Sequence, residues 1–355
     1  MNFTGIRILS VVLLSLISGW AGQDLVNQIQ RPPTARPKDM PQLSPLLQSA
    51  DGERITSKSG WQRKRAKLRE QWMNLLGPLP KQKCPLKMKI LATEDMRGFT
   101  RQYIKYQVEP DVYVQGYLLT PKDGKGKLPA IVVFHPTTKQ KAKIVAGVDL
   151  SVPEKTQGVQ LVGRGYVVLC PENFIFNGGT NYDGNVAVLK KQHPDWTGMG
   201  KMVWDGIRAV DLLESLPNVD KKRIGVIGHS LGAKEALYSA AFDERVKAAV
   251  SSEGGIGLKF SNWEAPWYLG KAIQQPDFKL ENHQVLSLVA PRAFLLLAGD
   301  FADNDKSWAF IETVQPVYKL LGAPENVGWF DHHLGHRYPP EARAIAEEFF
   351  DAHLK

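Results

Sequence analysis

Five consecutive residues, Gly228-His229-Ser230-Leu231-Gly232, place a serine between two glycines where one pattern of the chain gives way to another. Upstream, Arg223-Ile224-Gly225-Val226-Ile227 reads as a buried strand; downstream, Ala233–Phe242 reads as a helix that begins at once. A G-x-S-x-G run between a strand and a helix is a nucleophile elbow, a turn so tight that side chains at the glycine positions would strike backbone. The serine is thrown clear of the sheet, and the next amide, that of Leu231, points to where an oxyanion would form. This is acyl-transfer chemistry. A serine hydroxyl is a weak nucleophile near neutral pH, so it needs a general base, and the base needs an acid to orient it.

The expected base is His336, in Leu334-Gly335-His336-Arg337-Tyr338-Pro339, between a strand pattern at 326–330 and a terminal helix at 340–354. His332 and His333 lie closer to the strand end. His135 reads as a positioned loop histidine, His229 lies inside the elbow, and His193, His283 and His353 have no motif around them. Two acids qualify. Asp303 follows the strand Ala293–Ala298 in Gly299-Asp300-Phe301-Ala302-Asp303-Asn304-Asp305, where Asp305 reads as a helix N-cap. Glu253 follows the strand Val246–Val250 in Ser251-Ser252-Glu253-Gly254-Gly255. Both should lie at the carboxyl edge of the sheet, where catalytic groups gather, and both are expected within reach of His336.

A second oxyanion donor should come from the loop after the first buried parallel strand, His135-Pro136-Thr137-Thr138-Lys139. The Thr137 amide is the candidate, because Pro136 has no N–H. Trp263 and Trp267, on an insertion after Glu253, can either stack on a sugar ring or pack beneath the loop. Arg208 and Asp211 are spaced for an ion pair on one helix face. His332-His333-x-x-His336 has metal-like spacing but sits on a short loop, and no Cys/His spacing resembles a zinc site, so no metal and no cofactor is expected.

These groups require a scaffold. The apolar runs Ala130–Phe134, Tyr166–Cys170, Arg223–Ile227, Val246–Val250 and Ala293–Ala298 are short and bounded by Gly, Pro or charge. Helical patterns at 155–163, 201–215, 232–242 and 307–321 alternate with them, which predicts an α/β fold with a mostly parallel sheet covered on both faces. Strand patterns at 87–93, at 101–108 and from Asp111 onward predict antiparallel strands feeding into that sheet. Before them lie a helix from Trp61 to Leu76, stopped by Gly77-Pro78-Leu79-Pro80, and an extended proline-rich leader over 22–59. The division expected is an extension at 22–97 and one catalytic domain at 98–355.

Residues 1–21 read as a secretory signal: Arg7 precedes the apolar run Ile8 to Ile17, and Gly19-Trp20-Ala21 ends in a small residue. No cysteine stands beside that point to suggest a lipid anchor, the run is too short to span a bilayer, and the expected location is secreted or periplasmic. Cys84 and Cys170 could pair in an oxidising compartment or remain buried thiols. Net charge is +9, and the densest basic run is Arg63-Lys64-Arg65-Ala66-Lys67. It lacks interleaved aromatics or a nucleic-acid-binding module, so nucleic acid is not an expected partner.

With Ser230, His336 and the strand order in view, residues 98–355 resemble the α/β-hydrolase superfamily, in which nucleophile, acid and histidine follow in that order. Within it, Gly228 to Gly255 is similar to carbohydrate esterase family 15, the glucuronoyl esterases, on the strength of Glu253 standing 23 positions after Ser230. The resemblance implies that Lys234, four after the serine, touches a sugar acid. It extends to Glu281-Asn282-His283-Gln284 through Val289-Ala290-Pro291-Arg292, and to the helix before Pro80. That family carries Ser-Arg-x-Gly-Lys where this chain has Ser230-Leu231-Gly232-Ala233-Lys234, so the arginine thought to assist its oxyanion is absent. Secreted acetylxylan esterase-like and dienelactone hydrolase-like proteins are similar too, and they take their acid from the Asp303 region. The resemblance implies a cofactor-free serine esterase acting on acetyl, feruloyl or glucuronoyl esters of plant or algal polysaccharide. A prolyl-oligopeptidase-like peptidase shares the elbow and terminal histidine, but the leading segment is too short for its propeller. A non-catalytic carbohydrate-binding homologue would be expected to have lost one member of the catalytic set.

Overall fold

The computed structural model describes residues 23–177 and 181–355, so the secretory-signal reading falls outside the described residues. A nine-stranded sheet runs through it in the order β1-β2-β3-β5-β4-β6-β7-β8-β9. β1 (Lys89–Asp95), β2 (Phe99–Glu109) and β3 (Val112–Pro121) form an antiparallel meander that joins β5 (Val167–Pro171), also antiparallel. From β5 onward every pairing is parallel, through β4 (Leu128–Phe134), β6 (Val219–His229), β7 (Val246–Ser252), β8 (Ala293–Ala298) and β9 (Val327–Asp331).

Alternation along the central strands explains the two cores. Ala130, Val132 and Phe134 of β4 face one apolar cluster, while Ile131 and Val133 face the other. In β8, Phe294, Leu296 and Ala298 take the first side, and Ala293, Leu295 and Leu297 take the second. Burial on both faces is why these strands read as continuous apolar runs. The first face is covered by α1 (Lys58–Leu76), α3 (Tyr182–Gln192), α4 (Gly198–Ser215), α5 (Leu231–Phe242), α6 (Asn282–Val289) and α7 (Trp308–Leu321). The second is covered by α2 (Gln157–Gly163) and α8 (Pro340–Leu354). This is the α/β-hydrolase architecture that the sequence predicts. The pair expected on α4 forms, with Arg208 Nη1 2.6 Å from Asp211 Oδ2.

The two sheet edges are managed differently. Every residue of β1 is exposed, and Lys89, Glu94 and Asp95 lie along it. β9 is instead covered by the leader: Ile29 packs on Gly328, Gln30 donates to the Val327 carbonyl, and the Trp329 indole donates to the Arg31 carbonyl. The division drawn at 97/98 therefore falls between β1 and β2, which pair from Lys89↔Lys105 to Asp95↔Thr100. Trp61, Trp72 and Leu76 of α1 are fully buried in the main core, so the leading helix and the sheet fold around one interior. Helices α3 and α6 were not among the expected elements. Cys84 and Cys170 are both free, Cys170 wholly buried in β5. Among the described residues, no helix is long and apolar enough to cross a membrane.

Candidate active site

The candidate residues Ser230, Glu253 and His336 gather at the carboxyl edge of the parallel strands. Ser230 stands between β6 and α5 with φ 61° and ψ −116°, a left-handed conformation that a non-glycine residue adopts only when its surroundings impose it. The flanking glycines explain the imposition. A Cβ on Gly228 would lie 2.1 Å from the Gly232 carbonyl carbon, and one on Gly232 would lie 2.2 Å from the Phe134 carbonyl oxygen. The elbow is thus wedged against itself and against the end of β4, leaving the serine half-buried at the surface of the sheet edge.

His336 lies on the turn after β9, and its Nδ1 is 3.1 Å from Glu253 Oε2. The Glu253 side chain is wholly buried; its backbone amide donates to the Leu297 carbonyl at 2.8 Å, and φ is 54°. Its two oxygens also accept from the amides of Ala302 (3.0 Å) and Asp303 (3.3 Å). Such a carboxylate can fix the imidazole tautomer, leaving Nε2 free to take a proton. Ser230 Oγ forms no hydrogen bond to another described residue, a looseness common where the catalytic contact tightens around substrate.

Asp303 is also wholly buried, and its side chain makes no hydrogen bond to His336. Its oxygens accept from the amides of Gly255 and Ile256, each at 2.7 Å, and from the Ser307 hydroxyl at 2.9 Å. Burial, with Glu253 adding repulsion, pushes this carboxyl up to about 6. Of the two acids expected within reach of His336, Glu253 is hydrogen-bonded to it and Asp303 is not. Each acid caps the loop of the other: Glu253 holds amides 302 and 303, and Asp303 holds amides 255 and 256. The sequence placed both carboxylates at the sheet edge but could not show which loop each faces.

The amides of Leu231 and Thr137 donate to no other described residue, and both stand at this edge, Leu231 as the first residue of α5 and Thr137 just beyond β4. The helix N-terminus adds a favourable field for negative charge. Behind Thr137, His135 is buried and neutral: Nε2 accepts from the Asn173 amide, so Nδ1 carries the proton and donates to the Pro136 carbonyl at 2.7 Å. Burial holds this imidazole down at about 4. Asn173 in turn donates to the buried Glu235 of α5. Neither Asn173 nor Glu235 stands out in sequence, because only the fold brings them beneath the loop.

Lys234 is 3% exposed; its ammonium donates to Ser261 Oγ at 2.9 Å and lies about 5 Å from the ring centres of Trp263 and Tyr268. Burial lowers its pKa to about 8. Trp263 is buried and donates to the Gly255 carbonyl at 2.7 Å, so it packs beneath the loop and offers no face to a sugar. Of the two alternatives read from the sequence, packing is the one Trp263 adopts. Trp267 is partly exposed, edge-on to Tyr182. The sequence also missed two rings against His336: His229, buried in the elbow with centroids 4.6 Å apart, and the exposed Phe301 at 4.9 Å.

The model of the Dienelactone hydrolase family matches residues 114–276. The protein YtaP of Bacillus subtilis (strain 168) is 27% identical over 247 residues, covering 66% of this chain and 80% of its own. A 4-O-methyl-glucuronoyl methylesterase of Phanerochaete carnosa is 24% identical over 193 residues, 44% of this chain and 46% of that enzyme. Among solved structures, a glucuronoyl esterase from Solibacter usitatus superposes with a TM-score of 0.73 at 17% identity, over 88% of this chain and 98% of that one. One from Teredinibacter turnerae T7901 gives 0.69 at 21% identity, over 94% and 99%. At these identities the structures speak to the fold alone.

Proposed function

We propose that this chain, built on the α/β-hydrolase fold, is a secreted serine carboxylic-ester hydrolase acting on esterified plant or algal polysaccharide. The observation that carries this reading is the Glu253–His336 hydrogen bond at the edge that also presents Ser230. Ser230 Oγ attacks the ester carbonyl carbon, and His336 Nε2 takes its proton. The Leu231 and Thr137 amides hold the oxyanion of the tetrahedral intermediate. As the bond from carbon to the alcohol oxygen breaks, the imidazolium returns the proton to the departing alcohol. Water, deprotonated by His336, then cleaves the acyl-enzyme, releasing the carboxylic acid and restoring the serine. Glu253 orients the ring throughout and stabilises the imidazolium. The residues need no cofactor for these steps.

Among acetyl, feruloyl and glucuronoyl esters, a glucuronoyl ester is best supported, through Glu253 in the acid's place and Lys234 beside the site. The methylesterases that resemble this chain act on that class by their names. A panel of acetyl xylan, methyl ferulate, methyl glucuronate and a proline-containing peptide tests it. Turnover should be fastest on methyl glucuronate and absent on the peptide. Peptide cleavage in place of ester cleavage would support the peptidase reading, and no turnover on any would leave a binding protein.

Lys234 adds a pH dependence. Its ammonium is held near 8 by burial, so it is charged below that pH and neutral above it. If the charged form contacts the hydroxyls or ring oxygen of the uronoyl unit, KM should rise as pH climbs through about 8. Lys234→Met should show a higher KM that no longer changes over that interval. Parallel KM profiles for the two proteins between pH 7 and 9 would remove Lys234 from substrate binding.

A further inference from the structure

The three histidines of His332-His333-x-x-His336 part company in the fold. His332 is buried, with Nδ1 accepting from the Leu334 amide, and His336 is turned to Glu253. His333 is the most exposed of the three. Its Nδ1 lies 2.8 Å from Asp300 Oδ2 and 3.4 Å from Asp331 Oδ1. One donor atom from each of Asp300, Asp331 and His333 lies within 4.8 Å of the others. Beside them a cavity of 460 Å³ opens between this edge and the leader, lined by Asp305, Asp331 and His333 with Arg31 and Thr34 opposite.

Asp331 supplies an independent observation. Its side chain is 3% exposed, yet Oδ2 has no hydrogen-bond partner, while Oδ1 accepts from the His333 amide at 2.9 Å. A buried carboxylate oxygen without a partner calls for a proton, a water or an ion. Among the described residues, no lysine or arginine forms an ion pair with Asp300, Asp305 or Asp331. The orphaned oxygen belongs to the carboxylate that both lines the cavity and faces His333.

We propose that Asp300, Asp331 and His333 bind a divalent first-row transition cation of the Mn²⁺ or Zn²⁺ class. Two carboxylates and one imidazole form a borderline donor set, better suited to these ions than to Ca²⁺ or Mg²⁺, which favour oxygen alone. Metal bonds of about 2.0–2.2 Å place neighbouring ligands roughly 3.0–3.4 Å apart. The spacings around His333 Nδ1 already bracket that interval. On binding, any proton on Nδ1 passes to solvent, and water completes the coordination on the exposed side.

Such an ion would join the two loops that build the proposed catalytic pair. Asp300 is followed by Phe301, which rests against His336, and by the Ala302 and Asp303 amides that hold Glu253. Asp331 opens the turn that carries His336. The loops already meet through the Gly335 amide, which donates to the Gly299 carbonyl. The three ligands are thus positioning residues that touch no reacting atom.

The test reads binding, so it stands apart from the esterase reading. Tag-free, metal-stripped full-length protein is titrated with MnCl₂, and free Mn²⁺ is followed by electron paramagnetic resonance. One Mn²⁺ should bind per chain, and Mn²⁺ or Zn²⁺ should raise the Tm more than equimolar Mg²⁺. Asp300→Asn and His333→Ala, both at exposed positions, should weaken binding about tenfold or more. Asp39→Asn, at a surface carboxylate outside the cluster, should not. No Mn²⁺ or Zn²⁺ binding at millimolar concentration would overturn the proposal and leave His333 as an imidazolium bridging two carboxylates. Binding undiminished in both variants, or equalled by Mg²⁺, would overturn it as well.

Discussion

Ser230→Ala should lower kcat by about 10⁴- to 10⁶-fold on any ester the enzyme turns over, the scale seen when a serine nucleophile is removed. The loss should leave the fold intact, with stability within about 0.5 kcal/mol of wild type. Three observations separate the two effects. The hydroxyl forms no hydrogen bond to another described residue, so its removal leaves no orphaned partner. The backbone strain at φ 61° is imposed by contacts of Gly228 and Gly232, and alanine meets the same steric demand as serine. The Ser230 amide, which donates to the Ser252 carbonyl at 2.8 Å, is retained. A fluorophosphonate probe and a thermal melt report both quantities. Labelling of the variant at the wild-type rate would mean that another residue is the nucleophile.

The elbow was the most legible part of the site because its constraint is local. Two glycines, one serine and a change of hydrophobic period within ten residues encode a turn whose geometry is nearly obligatory. The parallel strands were legible for a similar reason, since burial on both faces leaves an uninterrupted apolar run. Residues whose role depends on what another loop brings to them were not legible. Asp303 and Glu253 occupy equivalent positions after adjacent strands, and spacing alone cannot show which points at His336. Trp263 reads as either a stacking or a packing ring until the loop that buries it is in place. Lys234 was named through a family resemblance, while Tyr268 beneath it carries no signal of its own. Helix α6 carries a local mark of its own: Glu281 and Gln284 form a capping box, the usual sign of a helix start.

The exchange of caps between the two acidic loops makes Glu253→Gln and Asp303→Asn expected to fail in different ways. In Glu253→Gln, the carbonyl can still accept from an amide of residue 302 or 303, so the loop contact survives in part. The imidazole loses its anionic partner, and an NH₂ turned toward Nδ1 would favour the wrong tautomer. A fall of about 10⁴-fold in kcat follows from the effect of that change in serine triads. In Asp303→Asn, the NH₂ would confront either the Gly255 amide or the side that faces Ile256 and Ser307, donor against donor in a buried site. Leaving one such amide unsatisfied costs about 1–3 kcal/mol, so this variant should show the larger fall in Tm. Because the Asp303 carboxyl is raised to about 6 by burial, wild type binds more protons there folded than unfolded. That contribution to stability is present in acid and fades as pH rises through about 6; it should be missing from Asp303→Asn. Any loss of kcat in this variant arises through displacement of the Glu253 loop, and should be smaller than in Glu253→Gln. The double variant should lose less kcat than the product of the two single effects, since both act on one imidazole. If Asp303→Asn abolishes turnover at unchanged Tm while Glu253→Gln is silent, the acid is Asp303 and the resting geometry does not represent the working enzyme.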